Sequence, residues 1–162
     1  MTPPGRDQTY LVFAQRLDAR VEIDAWNAHA VRFFATRIGL TAEKRYEAGA
    51  PFPRTDAAEF VVAPDGELAG RRTAFARPSD DEDRARAEAL DARGGFTGLG
   101  LLARRCGTVW LVTRVGQPDA LALRLAAILA SVLLGPILDE MAGDLFGVKT
   151  ARAKLEGLSR VG

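Results

Sequence analysis

One stretch of the chain, LAAILASVLLGPIL at residues 125–138, contains no charged side chain. As a helix, the wider apolar zone of residues 120–138 would be about 28 Å long, close to the roughly 30 Å hydrocarbon core of a bilayer. Arg124, Gly135 and Pro136 oppose insertion into that core. The uninterrupted apolar run itself, residues 125–138, is only 14 residues long, and a run of that length favours a buried helix over a membrane span. The run therefore predicts either a core helix or the seam of a dimer.

The large apolar side chains of this zone point in all directions around a helix axis, so one small sheet cannot bury them all. In a monomer they would leave an apolar patch larger than soluble monomers usually expose. A two-fold pairing of copies would bury the patch, although the C-terminal helix of the same chain could also cover it. The sequence thus predicts a homodimer whose interface contains Leu121, Leu125, Leu129, Val132, Leu133, Leu138 and Phe146.

Two kinds of segment alternate along the chain, and their order predicts the fold class. Runs rich in β-branched and aromatic residues predict strands, and runs with an apolar stripe or with capping residues predict helices. The order is β-α-β-β-α-β followed by two helices, which is the order of the ferredoxin-like α+β fold with a small antiparallel sheet. The segments are a strand at residues 9–15, a helix at 24–38, two strands around the turn Pro64-Asp65-Gly66, a helix at 79–94, a strand at 108–115, and a C-terminal helical pair within 118–158.

Two segments between these elements have their own signals. Ser79, followed three residues later by Glu82, predicts a capping box at the start of the second helix. Residues 97–106 fit a short helix better than a strand, but the spacing of their glycines leaves both alternatives open.

Length and composition fit a single bacterial domain in the cytoplasm. A chain of 162 residues is enough for one domain, with residues 1–8 expected to be a flexible N-terminus. Nineteen of the 22 basic residues are arginine, a skew typical of GC-rich bacterial coding, so the arginine excess is not evidence of phosphate recognition. The single cysteine, Cys106, fits a reducing compartment. The first ten residues lack the apolar segment of a secretory signal, so none is expected.

Patterns that would indicate catalysis or metal binding are weak. His29 and Cys106 are the only histidine and cysteine, so a thiol–imidazole dyad would have to be this pair. His29 is predicted on the polar side of its helix, away from the apolar stripe that contains Trp26 and Phe33. One histidine and one cysteine cannot complete a zinc site without carboxylates. We therefore predict no catalytic residue, no metal and no cofactor.

Two further motifs are predicted to be structural. The acidic run Asp80-Asp81-Glu82-Asp83 lacks the alternating spacing of a calcium loop and suits the positive end of a helix. The sequence GGFTGLG at residues 94–100 follows a helix rather than a strand and lacks the lysine of a phosphate loop. It is predicted to join two helices.

RNA-recognition domains share the β-α-β-β-α-β order and stack bases on two or three aromatic rings of their central strands. The corresponding strand here, GRRTAFA, has only Phe75, so Tyr10 or Phe13 of the first strand would have to contribute as well. With a formal net charge of +1, the chain has no global field that attracts nucleic acid. No nucleic-acid partner is predicted.

Three functional classes remain, because a fold class does not fix a function. The leading hypothesis is a non-enzymatic bacterial interaction or regulatory module, such as a regulator, an adaptor or an immunity-type factor, that binds itself or a partner protein. The first alternative is a small enzyme or ligand binder with a pocket between the sheet and residues 41–55. The second is a domain anchored in a membrane through residues 120–138. The polar candidates for the pocket are Tyr46, Glu47, Arg54 and Glu59.

Overall fold

The computed structural model describes residues 4–16, 21–41, 57–116 and 118–161. Within these ranges the chain forms seven β-strands, five α-helices and one turn of 3-10 helix at Arg6–Gln8. The strands are β1 (Thr9–Ala14), β2 (Thr36–Leu40), β3 (Ala57–Pro64), β4 (Gly70–Pro78), β5 (Thr108–Thr113), β6 (Ile137–Asp139) and β7 (Asp144–Phe146). The helices are α1 (Ile23–Phe34), α2 (Asp81–Arg93), α3 (Leu99–Arg104), α4 (Ala120–Leu133) and α5 (Val148–Val161).

The described strands form one sheet in the order β2-β3-β4-β5-β1-β6-β7, and every neighbouring pair is antiparallel. Strand β1 lies inside the sheet, paired with β5 along its whole length and with β6 on its other side. The turn at residues 64–66 joins β3 to β4 as the predicted hairpin. The predicted α+β class is confirmed.

Side chains of β1 alternate between two cores because successive residues of a strand point to opposite faces. Tyr10 and Val12 lie in the larger core with residues of α1, α4 and α5. Leu11 and Phe13 lie in the smaller core with residues of α2 and α3. Helices therefore cover both faces of the sheet at this strand, which explains why β1 and β5 are almost continuously apolar.

The ferredoxin-like order is not confirmed, and the first difference is an additional strand. Helix α1 ends at Phe34, four residues earlier than predicted, and β2 follows it. Ala35 has the left-handed backbone conformation, with φ of +48°, and this turns the chain out of the helix. Thr36 and Ile38 are buried whereas Arg37 between them is exposed. This period of two is typical of a half-buried strand.

The second difference lies at the end of the apolar run. Helix α4 ends at Leu133, because Leu134 is left-handed with φ of +60°, and the hairpin β6–β7 follows. The hairpin separates α4 from α5 along the chain, so the predicted pair of consecutive C-terminal helices is not confirmed, although α4 and α5 pack against each other. None of the helices in the described parts of the chain has both the length and the apolar composition needed to cross a bilayer.

Helix α2 begins with a capping box that is shifted by one residue from the predicted one. The Asp80 carboxylate accepts the backbone N–H of Asp83, and the Asp83 carboxylate accepts the backbone N–H of Asp80. Asp83 determines where the helix starts, because its buried carboxylate also accepts hydrogen bonds from Arg6 and Arg77. The short helix predicted within residues 97–106 is present as α3.

The connection from α4 to β6 passes so close to β1 that only glycine fits. A Cβ atom at Gly135 would overlap the backbone carbonyl of Phe13, while the Phe13 N–H donates to the carbonyl of Pro136 at 3.0 Å. We expect Gly135→Ala to lower the free energy of unfolding by about 3 kcal/mol, the upper range for overpacking, because two backbones must separate. Urea denaturation followed by circular dichroism measures this loss.

Gly157→Ala is the matched control for Gly135→Ala. Gly157 lies within α5, and a Cβ atom there would meet no atom within 4 Å. Alanine should raise the free energy of unfolding by about 0.5–1 kcal/mol, because glycine is a poor helix former. Equal effects of the two substitutions would contradict the close approach at Gly135.

Candidate functional site

Most of the side chains predicted to form the dimer interface lie inside a single chain. Helix α5 packs on α4 and covers part of the apolar circumference of that helix, and Leu121 and Val132 are half-buried. The homodimer stays a prediction, but the buried members of this set offer no free surface to a second copy. The buried members are Leu125, Leu129, Leu133, Leu138 and Phe146.

The structure does not bring His29 and Cys106 together. Cys106 lies in the smaller core, where its thiol donates to the carbonyl of Leu102 and burial raises its pKa to about 11. His29 lies on α1, on the other face of the sheet, and is half-buried rather than fully solvated. Its Nε2 atom is 2.7 Å from the Oγ atom of Ser131 on α4. The interaction therefore joins two helices of the larger core.

The glycine-rich segment at residues 94–100 joins α2 to α3, as predicted, and its amides are already occupied. The buried Asp91 carboxylate accepts the N–H groups of Thr97, Gly98 and Gly100 and also the Thr97 hydroxyl. The hydroxyl of Thr97, together with these amides, holds the pKa of Asp91 below its usual range. A carboxylate of the chain itself thus takes the place that a phosphate would occupy in a phosphate loop.

The acidic run at the start of α2 is also bound within the chain. Asp83 is fully buried, and its carboxylate is 2.6 Å from Nη1 of Arg77 and 2.9 Å from Nη1 of Arg6. Burial alone would raise the pKa of Asp83, but hydrogen bonds from Arg77, the Asp80 N–H and Arg6 outweigh it, so the pKa is lowered. Within the described ranges, no group of histidine, cysteine and acidic residues is arranged to hold a metal ion.

The aromatic side chains considered for base stacking are not accessible. Tyr10, Phe13 and Phe75 are all buried, at 4%, 0% and 4% exposure. Among the candidates for a pocket beside residues 41–55, Glu59 is exposed on β3, with Oε1 4.0 Å from Nη1 of Arg71. The other three, Tyr46, Glu47 and Arg54, lie outside the described residues.

A different group of residues, which we name the arginine cleft, surrounds a cavity of about 500 Å³. The C-terminal end of α1, the first half of α4 and the middle of α5 meet there. Arginine and aromatic side chains dominate the lining, and one carboxylate, that of Glu156, also lies on it. The residues that define the cleft are Arg32, Phe33, Phe34, Arg124, Arg152 and Leu155.

Arg124 fixes the geometry of the cleft by holding the end of α1 against α4. Its Nη1 donates to the carbonyl of Phe34 and to the hydroxyl of Thr36, both at 3.2 Å, and its Nη2 is 3.4 Å from a carboxylate oxygen of Glu67. A cation is stabilised at a helix C-terminus by the free carbonyls there. Arg124 therefore lines the cleft in a structural role, and its charge is already compensated by Glu67 and by the carbonyl of Phe34.

The two other arginines of the cleft stack on aromatic rings. The Cζ atom of Arg152 lies 4.4 Å from the ring centroid of Phe34, and that of Arg32 lies 5.1 Å from the ring centroid of Phe33. Both guanidinium groups are on exposed residues. Within the parts of the chain that the structure describes, no carboxylate lies within ion-pair distance of either group. Among the described residues, the two positive charges at the mouth of the cleft are thus not paired with any carboxylate.

Phe33 is 45% exposed, although the sequence placed it in the apolar stripe of its helix. The buried stripe of α1 is Trp26, Ala30 and Phe34, spaced four residues apart, and Phe33 lies at its edge. His29, whose ring centroid is 4.7 Å from that of Phe33, adds no permanent charge. Its pKa is lowered by burial and, to a smaller extent, by Arg152.

Sequence reasoning did not find the arginine cleft, because its members come from three distant segments. The only local signal was the adjacent pair Arg32-Phe33 near a helix end, and an exposed Arg-Phe pair has no specific meaning in a sequence. No family model, curated protein or solved structure matches the chain. Inference about function therefore starts from the geometry of the cleft.

Proposed function

We propose that the protein is a non-enzymatic binding module that recognises a partner protein through the arginine cleft. The observation that carries this proposal is the pair of ring-stacked arginines, neither paired with a carboxylate among the described residues, beside the exposed ring of Phe33. Arginine and aromatic residues are enriched among the residues that dominate the energy of protein interfaces.

The apolar part of the cleft supports the same function. Phe33, which lines the cleft between the charged groups, is 45% exposed, so a large apolar side chain lies at its mouth. An apolar centre surrounded by charged groups is the usual composition of a protein-binding surface. Helix α1 is anchored to the core by Trp26, Ala30 and Phe34, so this surface rests on a rigid element. A rigid surface loses little conformational entropy when a partner binds.

Photo-crosslinking in the cells that express the protein tests the proposal. With p-benzoylphenylalanine in place of Phe33, we expect a covalent adduct with one partner, which mass spectrometry identifies. The matched control places the same residue at Phe96, which is 78% exposed in the loop between α2 and α3 on the other face of the sheet. Phe33→Ala should weaken binding of the identified partner about tenfold or more, the effect typical of a central interface aromatic.

The mass of the adduct also distinguishes binding of a different protein from self-association. An adduct of twice the chain mass would identify the partner as a second copy and place self-association at the cleft. Equal adducts at positions 33 and 96, or no adduct at position 33, would refute the arginine cleft as the binding surface.

A further inference from the structure

We propose that the arginine cleft binds an acidic segment of the partner protein, whose carboxylates pair with Arg32 and Arg152 while a neighbouring apolar side chain rests on Phe33. This inference rests on the proposed function and specifies the chemistry of the partner.

The stacked arrangement leaves the hydrogen-bonding edges of both arginines available. A guanidinium group that lies over a ring uses its flat face for the contact, whereas its N–H groups point outward in the plane. Arg152 stacks at 4.4 Å on Phe34 and Arg32 at 5.1 Å on Phe33. The planar fork of N–H donors matches a carboxylate in bidentate geometry. The rings also hold the long side chains in place, which lowers the entropy lost on binding.

The charges around the cavity select an anion. Of the described residues, three arginines and one glutamate line it, and Arg124 is already compensated by Glu67 and by the carbonyl of Phe34. The remaining charges among these lining residues are Arg32 and Arg152 against Glu156. A cationic or neutral polar segment would leave the two guanidinium groups desolvated without a partner, which is costly.

The apolar part of the lining favours a protein segment over nucleic acid. Phe33, at 45% exposure, provides most of the apolar surface beside the two charges, because Phe34 and Leu155 are buried. Non-specific binding of nucleic acid instead requires an extended basic groove that follows the phosphate backbone. An acidic side chain next to an apolar one in a peptide matches two cations beside an apolar surface.

Nuclear magnetic resonance of the full-length, ¹⁵N-labelled protein tests this inference with a defined probe. The probe is a capped peptide with two glutamates on each side of a leucine, and the comparison peptide has glutamines in their place. We expect the acidic peptide to shift the side-chain Nε–Hε signals of Arg32 and Arg152 saturably, and the glutamine peptide to shift them at least about tenfold more weakly.

Substitutions of single arginines assign the effect to the cleft. Arg152→Gln and Arg32→Gln should each weaken binding of the acidic peptide about tenfold, and Arg152→Lys should restore only part of the affinity because lysine lacks the planar fork. The matched control is Arg105→Gln, a change of an exposed arginine at the end of α3 on the other face of the sheet. Circular dichroism of each variant separates lost binding from lost folding.

Three results would overturn the inference. The first is equal binding of the acidic and the glutamine peptide. The second is an unchanged affinity for the acidic peptide in both Arg32→Gln and Arg152→Gln. The third is tighter binding of inorganic phosphate or of an oligothymidylate than of the acidic peptide, measured at the same arginine signals. The proposed function is tested separately, by the crosslinking experiment. If a partner crosslinks at position 33 through a neutral segment, the proposed function is supported and this inference is refuted.

Discussion

We expect the substitution Leu129→Glu to unfold the protein. Leu129 lies in the middle of α4 with no exposed surface, packed in the larger core. Removing the leucine side chain costs about 2–5 kcal/mol, and a buried carboxylate without a partner adds several kcal/mol more. Together these terms reach the 5–15 kcal/mol that is typical of the total stability of a domain. Circular dichroism and light scattering on the purified variant measure the outcome.

Leu134→Glu is the matched control for Leu129→Glu. Leu134 follows the last residue of α4 and is 62% exposed. The same change of side chain should therefore leave the protein folded with nearly unchanged stability. If the Leu129→Glu variant stays folded and only its mass in solution falls by half, α4 forms a dimer seam, and the burial of Leu129 within one chain is wrong.

The Asp83→Asn substitution should lower the free energy of unfolding by about 3–5 kcal/mol, the usual cost of breaking a buried ion pair. The Asp83 carboxylate joins the N-terminal turn, the end of β4 and the first turn of α2, because it binds Arg6, Arg77 and the Asp80 N–H at once. Asparagine keeps the shape but removes the buried charge that the two guanidinium groups share, and leaves Arg6 paired with Glu82 and Arg77 paired with Asp80. Urea denaturation at neutral pH measures the loss.

Asp81→Asn serves as the control for Asp83→Asn. The Asp81 side chain, two residues away on the same helical turn, is fully exposed and, among the described residues, pairs with Arg84. The unfolding curve of the Asp81→Asn variant should superimpose on that of the unmodified protein, because exposed ion pairs contribute little to stability. A comparable loss in both variants would mean that the helix dipole, and not the buried cluster, is responsible.

The contribution of Asp83 should also depend on pH in one direction. Its pKa is lowered in the folded protein, whereas the unfolded chain has the ordinary value of about 3.9. The unfolded state therefore binds the proton more readily, so the stabilisation is fully present above about pH 4 and is lost as the pH falls through the folded pKa. The difference between the unmodified protein and Asp83→Asn should shrink below about pH 4. A constant difference down to the acid transition would contradict the lowered pKa.

Local patterns were enough to identify several elements. The β-rich run that became β1, the hairpin of β3 and β4, and the short helix α3 were all predicted from a few adjacent residues. Strand β2 also had a local signal, the alternation of Thr36, Arg37 and Ile38. The predicted helix extended through it, because a stripe of helical spacing and a short alternating run can share the same residues. The position of the left-handed residue Ala35 decided between them.

By itself, the sequence determined that most of the run at residues 125–138 must be buried, because exposing so many consecutive apolar side chains to water is unfavourable. It did not determine what buries them or where the helix within the run ends. Tertiary contacts decided both. Helix α5 and the sheet cover α4, and the close contact of Gly135 with Phe13 directs the chain into β6. The arginine cleft was likewise decided only by packing, because Arg32 and Arg152 line one cavity only when α1 and α5 come together across α4.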